Sequence, residues 1–393
     1  MADPKGHRLS KQQDSLHAPI SVREDQLPPH IKPIPRPQAL GRAVELAFLR
    51  WERRTLDVTE GFLNDFGFQA VTRHITQSTT QVFARGTGPS PAIFVATQGR
   101  KNEFLGAAFV MSPDTDLNRY VLEMGATPID EAQIPGGGTG IELTDPGGHA
   151  VWLIKGQKIP PALPNRDPVN DQINSPAHKP RVNRALRTPV GPARIVRIGH
   201  VVLQVVDFAA MTQWYMRVLG LIPTDVQYLQ DGSPNLAFCR LNLGDVPADH
   251  HTVVFAGGIE DKYEHSAYEV VDLDAVGQGQ QAMRLKGYKP LWGIGRHLFG
   301  SQFFDYWYDP DGFQFEHYAD GDMFTSDMPT HYSPLEFNSV WAWGDDVPAA
   351  LKPPKNLRTL FTVIKRLKSG QITLKRLKLM GKVLGEPGRP WLR

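Results

Sequence analysis

Cysteine is nearly absent from this sequence: Cys239 is the single one among 393 residues, so no intrachain disulfide can form and nothing points to an oxidising compartment. Also missing is any stretch near the roughly 18 consecutive apolar residues that a membrane-spanning helix needs, which argues against an integral membrane protein. The N-terminus is polar and proline-rich and lacks the basic-then-apolar profile of a secretion signal, so the expected location is the cytoplasm. A strong overall charge is lacking too. The formal net charge is +2, yet residues 352–393 hold 12 Lys or Arg against one acid, Glu386, a local +11 that leaves −9 for the rest. Such a tail could touch an anionic membrane or nucleic acid, but no nucleic-acid motif accompanies it. It reads as a solvated helix packed on its own protein or on a neighbouring subunit, and a homo-oligomer without a nucleic-acid partner is expected.

What is present is apolar content of 41%, enough to bury more than one core at a length that favours two or three domains. Residues 1–40 are rich in proline, with Pro28, Pro29, Pro33, Pro35 and Pro37 closely spaced, and are expected to form an extended or disordered arm. A second proline-rich stretch, 156–194, reads as a linker. The segments between and after, 41–155 and 195–322, share a plan: an apolar strand, an amphipathic helix ending at a glycine (Gly67, Gly220), a second apolar strand midway, and a turn leading into a final strand. The turns are Asp145-Pro146-Gly147-Gly148 before Ala150-Val151-Trp152, and Asp309-Pro310-Asp311-Gly312 before Gln314-Phe315-Glu316. This pattern predicts an internal duplication and an α+β fold of four strand-helix-strand-strand-strand modules paired into two domains, each a curled sheet with a concave face. Residues 323–393 are left as an extension ending in the basic tail. Asp309–Gly312 carries only turn chemistry at this level, and Arg50, Glu52, Arg53 and Arg54 read as a charged surface.

The chemistry resides in the second segment. Alternation along Ile198–Val205 marks a strand with His200 on one face, His265 opens the next module, and Glu316 falls where its neighbours two positions away are apolar or aromatic. A buried carboxylate there demands a cation or a hydrogen-bonding partner. Two imidazoles and one carboxylate on one face form a set that can hold ferrous iron and leave positions open for substrate and oxygen.

The string Arg197-Ile198-Gly199-His200-Val201-Val202-Leu203, with Asp207, Leu219-Gly220-Leu221 and Asp309-Pro310-Asp311-Gly312 before Glu316, resembles the vicinal oxygen chelate (glyoxalase/bleomycin resistance/dioxygenase) superfamily. More narrowly, the second half is similar to type I extradiol ring-cleavage dioxygenases. The resemblance implies a vicinal oxygen chelate fold and an Fe(II) site, with Mn(II) the alternative, held by His200, His265 and Glu316. It further implies a catechol-type substrate and O2 as co-substrate. His250-His251 resembles the family's paired histidines, which makes His251 the acid-base residue. The interval to His265 is one residue shorter than in some relatives, so His250 stays a contender. Gly295-Arg296-His297 and Tyr306 resemble the segment and tyrosine that contact a substrate oxygen. Trp292, Phe299, Phe303, Phe304 and Phe313 are candidates for the pocket wall.

The first segment is expected to carry no metal, because Trp152 stands where the second has Glu316, and to support its twin. Two other readings stand beside the dioxygenase: another metal-dependent enzyme of the superfamily, an isomerase or transferase, or a non-enzymatic module that sequesters a ligand in the same fold. The paired histidines and His297 favour the dioxygenase over the first; tight stoichiometric metal would exclude the second.

Overall fold

The computed structural model describes residues 21–76, 79–188, 191–336 and 339–385. It opens with a short strand, β1 (Val22–Arg23), and then repeats one module four times. The first is β2 (Ala43–Arg53), α1 (Leu56–Phe66), β3 (Ala70–Ile75), β4 (Thr80–Arg85) and β5 (Phe94–Gln98). The second is β6 (Glu103–Met111), α2 (Leu117–Met124), β7 (Thr127–Pro128), β8 (Thr139–Thr144) and β9 (Ala150–Lys155). The third is β10 (Ile195–Val205), α3 (Phe208–Leu219), β11 (Ile222–Tyr228), β12 (Pro234–Arg240), the two-residue β13 (Ala248–Asp249) and β14 (Val253–Gly257). The fourth is β15 (Lys262–Val270), α4 (Leu273–Leu285), β16 (Pro290–His297), β17 (Phe303–Tyr308) and β18 (Gln314–Ala319). The extension adds β19 (Met323–Phe324), β20 (His331–Pro334), β21 (Trp341–Trp343), α5 (Leu357–Lys368) and α6 (Leu374–Leu384).

Helix limits follow from local chemistry. Asp116, Asp207 and Asp272 each accept a backbone N–H of the first turn of α2, α3 and α4, satisfying a donor that the helix cannot. Gly67 ends α1 in the left-handed region at φ 114°, and a Cβ there would lie 1.6 Å from the Ala193 carbonyl oxygen, so only glycine fits. In each module the first strand pairs in parallel with the last, β2 with β5, β6 with β9, β10 with β14 and β15 with β18. Modules then join in twos through antiparallel first strands, β2 with β6 and β10 with β15. The result is an eight-stranded sheet, β3-β4-β5-β2-β6-β9-β8-β7, and an eleven-stranded one, β1-β20-β11-β12-β14-β10-β15-β18-β17-β16-β21. The α+β duplication read from the sequence is this architecture.

The largest core is continuous between the two sheets. Trp51, Phe62, Phe66, Tyr263 and Phe315 are all buried in it, and the Phe66 and His317 rings stack at 3.8 Å while His317 Nε2 donates to the Phe66 carbonyl at 2.7 Å. Because side chains alternate along β18, Phe315 and His317 anchor in this shared core while Glu316 faces the other way. The N-terminal half thereby fixes the back of the strand that carries Glu316.

The structure corrects one sequence expectation, the surface placing of Arg53, and adds detail to others. The described part of the arm is packed: β1 pairs with β20, and Ile31, Ile34 and Leu40 are buried; residues 1–20 lie outside the described residues. Arg53 is not surface but 1% exposed, with Nη1 donating to Asp311 at 3.0 Å and Nη2 2.9 Å from Asp309. The turn Asp309–Gly312 therefore clamps the two halves together, beyond its local turn role. Arg50 stacks on Trp152 at 3.6 Å. The basic tail is two helices, α5 and α6, up to residue 385. Among the described residues no helix is long and apolar enough to cross a membrane.

Candidate metal centre

Three neighbouring strands, β10, β15 and β18, assemble the predicted triad. His200 on β10 and Glu316 on β18 are both in register with Ala267 of β15, and His265 lies two residues from Ala267, on the same face. His200 Nε2 is 3.3 Å and His265 Nε2 is 3.4 Å from Glu316 Oε2, and one ligand atom from each of the three lies within 4.8 Å of the others. Atoms bonded to one divalent ion at about 2.1 Å sit roughly 3.0–3.4 Å apart, so the spacing fits a shared metal. The carboxylate supports the fit independently. Glu316 is 0% exposed, and neither of its oxygens has a hydrogen-bond partner, a state that is costly unless a cation satisfies it. Burial alone would raise its pKa, but the imidazoles of His200, His265 and His297 hold it well below the usual carboxylate range. Burial pushes His200 down, leaving a neutral ring suited to ligation.

Beside the triad, His251 is buried, with its ring 4.2 Å from that of His200. Its tautomer can be derived from its partners. Asp225 Oδ2 lies 2.7 Å from His250 Nε2 and, as a carboxylate, accepts, so His250 Nε2 carries the proton. His250 Nδ1 is then the acceptor for His251 Nδ1–H at 2.9 Å. That leaves His251 Nε2 with a free lone pair, and the residue lines a cavity of about 320 Å³ that also contains His200, His265, His297 and Tyr306. Burial, with His200 and His250 beside it, keeps His251 neutral well below its ordinary pKa. On the opposite side, His297 Nδ1 donates to the Val340 carbonyl at 2.9 Å, so its Nε2 accepts from the Tyr306 hydroxyl at 2.9 Å. Burial and the nearby Glu316 raise the Tyr306 pKa far above its ordinary value, and the phenol stays protonated. In this arrangement the tyrosine is the donor; donation by His297 requires its protonated ring.

Comparison with known proteins places this geometry. The model of the Glyoxalase/Bleomycin resistance protein/Dioxygenase superfamily matches residues 197–317, the span holding all of these side chains. Residues 197–317 form a domain of this superfamily. Metapyrocatechase 2 of Cupriavidus necator is 28% identical over 296 residues, covering 75% of this chain and 86% of its own. Among solved structures, the Mn(II)-bound glyoxalase of Novosphingobium aromaticivorans superposes with a TM-score of 0.63 at 19% identity, covering 80% of this chain and 95% of that one. Homoprotocatechuate 2,3-dioxygenase of Arthrobacter globiformis gives 0.63 at 18% identity, covering 81% and 93%. These structures share the vicinal oxygen chelate fold with this chain.

The duplicated fold allows the N-terminal counterparts of the triad to be read from strand register. Phe48 pairs with Ala108 as His200 pairs with Ala267, and Ala108 pairs with Trp152 as Ala267 pairs with Glu316. Gly106 stands for His265. Phenylalanine, glycine and tryptophan side chains offer no ligand atom, and the Phe48 and Trp152 rings meet edge to face at 6.1 Å.

The predicted aromatic wall is only partly present. Trp292 and Phe299 line the cavity. Phe313 instead packs on Trp51 at 4.9 Å, Phe303 lies under Arg296 at 3.8 Å, and Phe304 supports His297 from the side at 4.2 Å. Residues that sequence reasoning missed are Asp225, which carries no motif, and the far wall of the cavity, which comes from the C-terminal extension through Leu351, Met380, Val383 and Leu384.

Proposed function

We propose that this protein is an Fe(II)-dependent extradiol dioxygenase that opens the ring of a catechol-type substrate with O2. The observation that carries the reading is Glu316: a fully buried carboxylate with both oxygens unpartnered, facing two imidazoles from two other strands at 3.3 and 3.4 Å. His200, His265 and Glu316 would hold the metal from one face and leave the remaining positions open. Iron bound there would supply a conduit for electron density from a chelated diol to dioxygen. His251 Nε2, with its lone pair fixed by the Asp225–His250 chain, accepts a hydroxyl proton and later returns it as general base and then general acid. Tyr306, whose one proton goes to His297 Nε2 in this structure, would turn that proton to a bound substrate oxygen in its place. Metapyrocatechase 2 and the homoprotocatechuate dioxygenase are relatives whose names denote this type of chemistry, and the His250–His251 pair favours it over an isomerase or transferase on the same fold.

Within this reading residues 41–155 are a supporting domain without metal and 195–322 the catalytic one, acting in cytoplasmic breakdown of aromatic compounds as a homo-oligomer. The test is metal analysis of the purified full-length chain, anaerobic loading with Fe(II) or Mn(II), and exposure to a catechol panel in air, following oxygen uptake and yellow ring-fission product. One metal per chain and turnover with Fe(II), both lost in His200→Ala and Glu316→Gln, support the assignment. Failure to retain any divalent metal refutes it in favour of ligand sequestration.

A further inference from the structure

The cavity in front of the metal centre does not end at the sheet. Its inner end is the cluster of imidazoles and the Tyr306 phenol, and its far end is formed by Leu351 and Pro353 ahead of α5 and by Met380, Val383 and Leu384 on α6. Between the two ends run apolar walls that include Leu236, Phe238, Val254 and Phe299. Its volume of about 320 Å³ is about twice the roughly 150 Å³ of a cavity that takes up one benzene. A dihydroxylated ring held at the histidines therefore leaves room for a second group of similar size reaching towards α6.

The polarity of the lining narrows what that group can be. Among the described residues no Lys or Arg lines the cavity, whereas two carboxylates, Glu264 and Glu336, do. An anionic substituent would meet these carboxylates and find no lining cation among the described residues to pair with. The wall amides are already engaged: Gln204 donates to Glu264 at 2.7 Å and accepts from the Ile259 and Glu260 amides at 3.3 and 3.2 Å. Asn235 Oδ1 accepts from Arg376 Nη2 at 2.6 Å, and Lys262 Nζ lies 3.2 Å from Glu264, so both of these neighbouring cations are already engaged.

The basic tail gains a purpose here, because its charges hold α6 in place. Lys375 pairs with Asp231 at 3.0 Å, Lys382 donates to Gln230 at 3.1 Å, and Lys352 donates to the Leu384 carbonyl at 2.9 Å. Arg366 at the end of α5 pairs with Asp261 at 3.3 Å, and Ile372 between the helices is buried. With its polar side tied to the β11–β12 turn, α6 turns Met380 and Val383 into the cavity.

We propose that the site selects an uncharged catechol with a bulky apolar substituent, such as an aryl group, and that α6 is the cap that recognises it through Met380 and Val383. This rests on the dioxygenase reading for the diol end of the ligand, while the cap end is argued from the cavity alone. The experiment is anaerobic equilibrium binding to the full-length protein, followed by tryptophan fluorescence, with catechol, 3-phenylcatechol, 4-phenylcatechol and 3,4-dihydroxyphenylacetate, each with and without Fe(II). At least one phenylcatechol is expected to bind tenfold or more tightly than either catechol or the carboxylate, whether or not metal is present. Val383→Asp should reduce that preference to under threefold, and Met380→Lys should raise binding of the carboxylate relative to the phenylcatechols, with circular dichroism showing both variants folded. Equal binding of all four compounds, tighter binding of the carboxylate, or a preference unchanged in both variants would overturn the proposal. Failure of the dioxygenase reading is visible separately, as absence of ring fission in air by iron-loaded protein of a compound that it binds.

Discussion

Replacing Arg53 by methionine tests whether the two halves are held together by a buried charge. The guanidinium is 1% exposed, packed over Trp51 at 4.5 Å and Phe313 at 4.4 Å, and lies between Asp309 and Asp311 at 2.9 and 3.0 Å. Methionine retains the apolar stem and much of the packing but leaves the Asp309 side chain, 5% exposed, without its cation. Removing one partner of such a pair costs about 3–5 kcal/mol. The amides of Asp311 and Phe313 donate to Asp309 Oδ1 at 2.9 and 2.8 Å and offset part of this, so the lower end of the range is expected. The effect must depend on pH. Burial, opposed by Arg53, has already pushed the Asp309 carboxyl up to about 6, above its unfolded value of about 3.9. The folded state therefore keeps the proton longer, and stability contributed by this group is full below about 4 and lost as pH rises through 6. Without Arg53 that loss continues to higher pH, so the variant's deficit should be small at pH 5 and large at pH 8. Urea unfolding at both pH values measures it, and Arg53→Met with Asp309→Asn should recover roughly half or more of the deficit. A cost under about 1 kcal/mol at pH 8, or a double variant weaker than the single one, would refute the reasoning.

Three further outcomes are expected. Asp225→Asn leaves the His250 tautomer unfixed and should lower kcat by roughly 10–100-fold with metal content unchanged, as read by steady-state oxygen uptake and elemental analysis; a change under twofold would remove Asp225 from the chain of bonds. Asp305, buried and bonded to Trp307 Nε1 at 2.5 Å and Gln280 at 3.1 Å, is raised to about 7 chiefly by burial, so its contribution is complete below about 4 and declines as pH rises towards 7. Asp305→Asn should flatten that decline, which amounts to about 4 kcal/mol at most, and an identical pH profile in both proteins would contradict the assignment. Gly199→Ala would set a Cβ 2.1–2.5 Å from the Tyr318 ring and hydroxyl, next to His200; the overpacking should cost about 1–3 kcal/mol and weaken metal retention, measured by thermal unfolding and metal titration.

The modules and their helix stops were legible in the sequence because each depends on short-range rules, whereas His200, His265 and Glu316 were read as one set through the resemblance to a known family. Alternation puts His200 and Glu316 on defined strand faces, glycine ends α1 and α3, and one turn type precedes the last strand of each half. The same rules could not sort Phe303 and Phe304 from Trp292 and Phe299, since several aromatic residues in a row fit either face until the partner strands are known. They also misplaced Arg53, which reads as one of a group of surface charges until β2 is brought against the β17–β18 turn more than 250 residues away. Asp225 and α6 escaped for a related reason. A lone aspartate becomes part of a hydrogen-bonded chain only when β11 sets it beside His250, and a basic helix becomes a cavity wall only when Asp231, Gln230 and Asn235 draw its charges outward. The sequence by itself thus determined the α+β module plan, through local periodicity, and, through its resemblance to a known family, which residues to look for at the centre. Only the tertiary structure decided which charges are buried, which tautomer His251 adopts and how deep the cavity runs, because each of these depends on partners distant along the chain.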